Sequence, residues 1–237
     1  VTTATVDVWR ADLDADDADV ARLRTHLDPD ELGRAARFHF EPDRSRFIVS
    51  RATLRQILAH YLGAEPARLR LGYATEGKPH LLDYQELQFN LSHAGNRLLI
   101  AVSRNRQVGI DVERVPSEAV VAELSGRVLS DPEHAALSLL PGLERCERFA
   151  EFWTRKEAYI KADGRGMALE LTRMDVSSSQ RRVLLQDPQS GEWAAASRWT
   201  LRSIAVDPGY AGAVAGEGEG WRLTSFDWPV TVSRLAL

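Results

Sequence analysis

Twice along this chain a stretch of helical periodicity is followed by a series of short strand-like runs. In the first half Val6-Asp7-Val8-Trp9 alternates like a strand, and an acidic turn region, Asp12 to Asp19, leads into the helical pattern Val20, Leu23, Leu27. Asp28-Pro29-Asp30-Glu31 reads as an N-cap with Pro in the first turn. Phe47, Leu54, Ile57, Leu58, Tyr61 and Leu62 then fit a 3.6-residue period over Asp43 to Leu62, and Gly63 ends that helix. Strand-like runs follow at Arg70 to Tyr73, Leu87 to Leu91, Leu98 to Ser103 and Val108 to Val112, an antiparallel meander.

The second half repeats this order. Helical patterns run from about Ser117 to Leu129, Asp131 to Leu140 and Arg145 to Ala162, with Asp131-Pro132-Glu133 as a helix start. Strands are expected at Asp175 to Ser177, Arg182 to Leu185, Trp199 to Val206, Ala211 to Ala215 and Trp221 to Phe226, with Gly216 to Gly220 as a hairpin tip. The expectation is an α+β fold of two similar, pseudo-symmetric lobes, residues 1–114 and 115–237, each with helices packed on a mainly antiparallel sheet. A site shared by the lobes would lie in the cleft between them.

With 237 residues, 44% of them hydrophobic, the chain has enough apolar material for one large core or two small ones. Its apolar runs are far shorter than the roughly 18 residues of a membrane helix, so no membrane association is expected. The balance of 30 Lys plus Arg against 34 Asp plus Glu gives a net charge of -4, which disfavours general attraction to nucleic acid and leaves room for a local basic patch. Cys146 is the single cysteine, which excludes an internal disulfide and a cysteine zinc site and suits a reducing compartment. Val1 to Val8 has no basic segment followed by an apolar run, so a cytoplasmic location is expected. Two fused lobes are compatible with a functional monomer.

Several residues carry chemistry. Asp111 and Glu113 in Gly109-Ile110-Asp111-Val112-Glu113 fall on one face of a strand, where two carboxylates repel unless a cation sits between them. A hard divalent ion such as Mg²⁺ answers that description, and a solvated strand edge is the alternative. Glu157 and Lys161, four apart on a helix, read either as an ordinary ion pair or as an oxygen ligand with a phosphate partner. Phe149, Trp153, Ile160 and Phe152 would pack inward on that helix, and Asp163-Gly164-Arg165-Gly166 would reverse the chain after it. Lys78 on a turn is a point charge suited to phosphate, and Ser92 and His93 at a strand end can donate hydrogen bonds to phosphate oxygens or serve structure alone. Arg44, Arg51 and Arg55 form a basic stripe on the first long helix, which reads as a solvated face as readily as anything else and names no ligand.

Gly77-Lys78-Pro79, Phe89-Asn90-Leu91-Ser92-His93, Gly109-Ile110-Asp111-Val112-Glu113 and Trp153-Thr154-Arg155-Lys156-Glu157-Ala158-Tyr159-Ile160-Lys161 resemble, in order and separation, the motifs of the Sfp-type 4'-phosphopantetheinyl transferases. Arg37-Phe38, Arg51 to Arg55 and Asp207-Pro208-Gly209-Tyr210 extend the resemblance over essentially the whole chain. It implies a pseudo-symmetric two-lobe fold and transfer of the 4'-phosphopantetheine arm of coenzyme A to a serine of an acyl or peptidyl carrier protein, releasing adenosine 3',5'-bisphosphate. It further implies that Asp111, Glu113 and Glu157 hold Mg²⁺, and that Asp111, Glu157 and Lys161 serve catalysis, Glu157 as acceptor of the serine proton. By the same resemblance Arg34, Arg37, Lys78, Pro79, Ser92, His93 and Lys161 bind coenzyme A, with Arg34 and His93 near its 3'-phosphate. A basic residue that some members carry three positions before Arg34 is Glu31 here.

The residues alone admit two other classes. One is a coenzyme A or nucleotide binding module, which would not need three carboxylates. The other is a Mg²⁺-dependent phosphohydrolase, in which the same groups would direct water in place of serine.

Overall fold

The structure, a computed structural model, describes residues 4–229 except 76, 165–168, 179–180 and 197. Arg165 and Gly166 of the expected chain reversal therefore lie outside the described residues. The first half contains β1 (Thr5–Asp12), α1 (Asp17–Leu23), α2 (Pro29–Ala35), α3 (Glu41–Leu62), β2 (Leu71–Tyr73), β3 (Pro79–Leu81), β4 (Leu87–Ala94), β5 (Arg97–Arg104) and β6 (Val108–Arg114). The second contains α4 (Glu118–Val128), α5 (Asp131–Ser138), α6 (Gly142–Asp163), β7 (Met174–Asp175), β8 (Leu184–Gln186), β9 (Trp193–Ala195), β10 (Trp199–Ile204), β11 (Tyr210–Glu217) and β12 (Arg222–Asp227). The α+β architecture of helices on mainly antiparallel sheets is the one the sequence pattern predicts.

Strand order locates the cleft. One sheet runs β12-β1-β5-β4 and another β10-β11-β6. β6 pairs with β11, register Asp111 to Ala213, and also lies against β4 and β5, so it joins the halves. β12 returns to pair in parallel with β1, the exception to the antiparallel rule. Three apolar clusters follow: α3 against the first sheet, α6 against the second, and a third between the sheets built on Val6, Leu99, Ile110, Val214 and Trp221. The short strands β3 and β9, three residues each, are too brief to give an alternating pattern.

The two long helices stop where the sequence requires it. Gly63 and Gly164 follow α3 and α6 in the left-handed conformation, with φ of 61° and 79°. Phe149 and Phe152 of α6 are enclosed as expected, whereas Trp153 and Ile160 are only partly buried. In their place Thr154, Arg155 and Lys156 point inward.

The arginine stripe on α3 is not a solvated face. Arg55 is fully enclosed and Arg51 nearly so. Asp28 caps α2 in a reciprocal capping box with Glu31, and this turns the Glu31 carboxylate toward α3. Glu31 accepts from Arg51 Nε at 2.7 Å and from Arg55 Nε at 2.5 Å. Arg55 also pairs with Asp28 and donates to the carbonyls of Pro66 and Leu69, both at 2.9 Å. Only Arg44 stays near the surface, paired with Glu41.

α6 lies unusually close to β6. A Cβ at Gly109 would stand 2.2 Å from the Ala158 carbonyl oxygen and 2.3 Å from the Ala162 nitrogen, both backbone atoms that cannot step aside. Gly109→Ala is therefore expected to cost about 1–3 kcal/mol in urea unfolding, and an unchanged midpoint would mean that the helix yields without penalty. Glu31→Leu removes the carboxylate shared by two buried guanidiniums, leaving Arg55 with Asp28 and Arg51 with the Tyr73 hydroxyl, and is expected to cost about 3–5 kcal/mol in the same measurement.

Candidate active site

Three elements bring the chemistry-bearing side chains together. β4 carries Asn90, Ser92 and His93, β6 carries Asp111 and Glu113, and α6 carries Glu157 and Lys161. β4 and β6 belong to different sheets, and the Asn90 side chain ties them by accepting from the Ile110 amide at 2.9 Å. This role for Asn90 is not readable from its motif, because it depends on which strand lies alongside.

At the junction Lys161 Nζ donates to Asp111 Oδ1 at 2.6 Å and to Ser92 Oγ at 3.0 Å, and Ser92 Oγ donates to the same carboxylate oxygen at 2.8 Å. Lys161 thus reaches across to the other strands with its hydrogen bonds. Asp111 Oδ2 is buried and has no hydrogen-bond partner. Burial raises the Asp111 carboxyl above its ordinary range even though Lys161 and Ser92 pull it down. Glu113 is pushed up to about 7 by burial and then by the charges of Asp111 and Glu157. Glu157 is raised by burial and by Asp111.

Three acids crowd one ammonium, so the junction carries excess negative charge. That donor set, together with an orphaned buried carboxylate oxygen, fits a hard cation. Among the described residues no three acidic, histidine or cysteine side chains already close into a metal cage.

Beside the junction opens a cleft of about 740 Å³. Of the predicted residues, Arg34, Lys78, Pro79, His93, Glu157 and Lys161 line it. Ser92 and Asp111 sit behind its wall, bonded to Lys161. Glu113 borders a smaller groove with Phe149 and Trp153, within electrostatic reach of Asp111 and Glu157. Arg37 is exposed, with its Nε toward the Gly33 carbonyl, and is not among the cleft-lining residues.

The remaining cleft walls come from residues the sequence did not single out for this purpose, among them Phe47, Tyr73, Leu169 and Leu171. Arg51 joins them, donating to the Tyr73 hydroxyl at 3.0 Å while Glu31 holds its other edge. Glu31 thus spends its charge on α3. Lys78 Nζ donates to the Val108 carbonyl at 2.9 Å, and burial lowers its pKa to about 8. His93 keeps an exposed edge while the surrounding wall, Lys161 and Arg46 hold its imidazole below the ordinary value.

Residues 107–215 match the family described as the 4'-phosphopantetheinyl transferase superfamily, and residues 13–105 match "4'-phosphopantetheinyl transferase, N-terminal". The 4'-phosphopantetheinyl transferase HetI of Nostoc sp. is 37% identical over 220 residues, covering 92% of this chain and 90% of that protein. This chain belongs to the 4'-phosphopantetheinyl transferase superfamily. A putative 4'-phosphopantetheinyl transferase of Synechocystis sp. is 30% identical over 80% of this chain and 78% of its own length. The 4'-phosphopantetheinyl transferase Sfp of Bacillus subtilis is 27% identical over 81% of this chain and 83% of that protein. Every motif residue discussed above falls within residues 13–105 or 107–215. The chain is accordingly a transferase of the Sfp and HetI type, moving 4'-phosphopantetheine from coenzyme A to carrier proteins. Among the described residues no helix is long and apolar enough to cross a membrane.

Proposed function

We propose that the two lobes, 1–114 and 115–237, clasp coenzyme A in the cleft between them, and that the Lys161, Asp111 and Ser92 junction is where its diphosphate reacts. The observation that carries this reading is the cleft's polarity. Arg34, Lys78 and Lys161 bring cations to it although the whole chain is net negative. A bisphosphorylated nucleotide joined to a pantetheine arm matches such a cleft, which also offers Phe47, Leu169 and Leu171 as apolar wall. In this reading Arg34 and His93 attend the 3'-phosphate, with Arg37 as an outer contact, and Lys78 beside Pro79 meets the diphosphate.

Asp111, Glu157 and, from its neighbouring groove, Glu113 would hold Mg²⁺. Bound there, the ion would neutralise negative charge on the diphosphate oxygens during transfer. The chain's own residues do the rest. Lys161, fixed by Asp111 and Ser92, stabilises charge developing on the leaving adenosine 3',5'-bisphosphate. Glu157 faces the cleft with a carboxylate made more basic by burial, and accepts the proton of the carrier serine as its oxygen attacks phosphorus. A phosphorus-oxygen bond to the serine forms, the bond to the bisphosphate breaks, and the walls keep competing water out. The enzyme in this reading acts as a cytoplasmic monomer with no nucleic-acid partner.

Apo carrier protein incubated with the enzyme, coenzyme A and Mg²⁺ should gain the mass of one 4'-phosphopantetheine group. Release of phosphate or pantetheine without any carrier would favour hydrolysis instead. Asp111→Asn should lower kcat by about 100-fold or more with the thermal midpoint nearly unchanged, and wild-type turnover would remove Asp111 from the reaction. Lys78 supplies a pH test. With a pKa of about 8 in the free protein it is cationic below that pH and neutral above it, whereas a bound phosphate favours the cation. Coenzyme A affinity by calorimetry should therefore be flat below pH 8 and fall by about tenfold per unit just above it. Lys78→Met should lose that upper limb, and a limb that persists would assign it to another group.

A further inference from the structure

A second charged network lies under the cleft without opening into it. Lys156 of α6 and Glu133 of α5 are both fully enclosed, their charges 2.5 Å apart. The ammonium has three hydrogens and three acceptors: Glu133, the Val128 carbonyl at 2.6 Å and the Leu171 carbonyl at 2.8 Å. Glu133 is equally committed, accepting from the Ser130 amide at 2.9 Å with one oxygen and from the Val176 amide at 2.8 Å with the other. The end of α4, the start of α5, α6 and the two chain segments on either side of β7 therefore converge on one ion pair.

Two of the points joined there belong to the cleft. Leu171, whose carbonyl Lys156 holds, lines it together with Leu169, and Glu157 follows Lys156 on the same turn of α6. An apolar side chain at position 156 could fill the same space, yet it could not hold a carbonyl at a fixed place. A buried ion pair adds little net stability over apolar packing, but it does specify geometry when every donor and acceptor is matched. We propose that Glu133 and Lys156 are positioning residues that fix the Leu169 and Leu171 wall relative to Glu157, and so set how tightly coenzyme A is held. This rests on the assignment of the cleft to coenzyme A.

Glu133→Asp tests it, since a side chain one methylene shorter keeps the charge but cannot reach both Lys156 and the Val176 amide. KM for coenzyme A and for carrier protein, and kcat, are measured at a temperature where circular dichroism reports the native fold, with Lys78→Met alongside. The expected result is a rise of about fivefold in KM for coenzyme A, with kcat and the carrier KM changed by less than about twofold. A lowered thermal midpoint with wild-type KM for coenzyme A would make the pair merely structural and overturn the proposal. Should Glu133→Asp fail to fold, Leu171→Ala leaves the pair intact and trims the wall; an unchanged KM there would equally overturn it. If Lys78→Met raises KM for coenzyme A and Glu133→Asp does not, the positioning role alone fails. If neither moves it, the coenzyme A reading of the cleft fails first.

Discussion

The Lys161 ammonium is the point on which the site depends. It leaves a helix of the second half and ends on Asp111 of β6 and Ser92 of β4, side chains from two different sheets. No backbone ladder joins β4 to β6, so their relative placement rests on the third apolar cluster, on Asn90 bridging to the Ile110 amide, and on this contact. The contact is possible only because α6 comes within touching distance of β6 at Gly109, where a larger residue would push the helix away. The missing side chain at Gly109 thus sets where Lys161, the last residue of α6's Trp153 to Lys161 motif, can act.

The first sheet gains its fourth strand from the far end of the sequence. β12 adds to the first sheet beside β1, and Arg10 pairs there with Asp227 at 2.9 Å while Arg97 joins Asp12 to Asp207. Residues from the two ends of the chain are therefore laced together by a backbone ladder and ion pairs. Exposed pairs of this sort contribute little energy individually. The ladder and the shared cluster do more, because they remove the freedom of one half to swing against the other. A cleft whose walls are held on both sides costs less to organise when substrate enters.

How much of this the sequence revealed depended on whether a residue's partner was near in sequence or in a recurring motif. The long helices, their glycine stops and the common face of Asp111 and Glu113 follow local pattern, whereas the expected meander and the hairpin tip at 216–220 do not hold: β6 pairs with β11 instead of β5, and β12 with β1 instead of β11. Arg51 and Arg55 were ambiguous because their partner, Glu31, lies on a separate short helix whose approach only the fold defines. Lys156 is a harder case: a lysine between two motif residues gives no sign that its charge is wholly buried until Glu133 and the carbonyls of Val128 and Leu171 close around it. The parallel pairing of β12 with β1 joins residues separated by most of the chain, and alternation within a strand carries no information about its neighbour.

Charge bookkeeping separates these clusters by role better than burial does. Arg51 and Arg55 face Glu31 and Asp28, two cations against two anions, and Lys156 faces Glu133, one against one. Each is neutral, with its hydrogen bonds largely matched, which is what a group must be to remain permanently inside a protein. Around Lys161 the count fails: Asp111, Glu113 and Glu157 share one ammonium, and one oxygen of Asp111 is buried without a partner. With Glu157 and Lys161 counted at that junction, the adjoining cleft wall adds the cations Arg34 and Lys78. In the proposed reading a divalent cation would answer the acids of the junction and a phosphate-rich ligand the cations of the wall. Acids gathered at the junction and cations on the adjoining wall thus set charges of opposite sign side by side, which is the arrangement the proposed substrate and ion would meet.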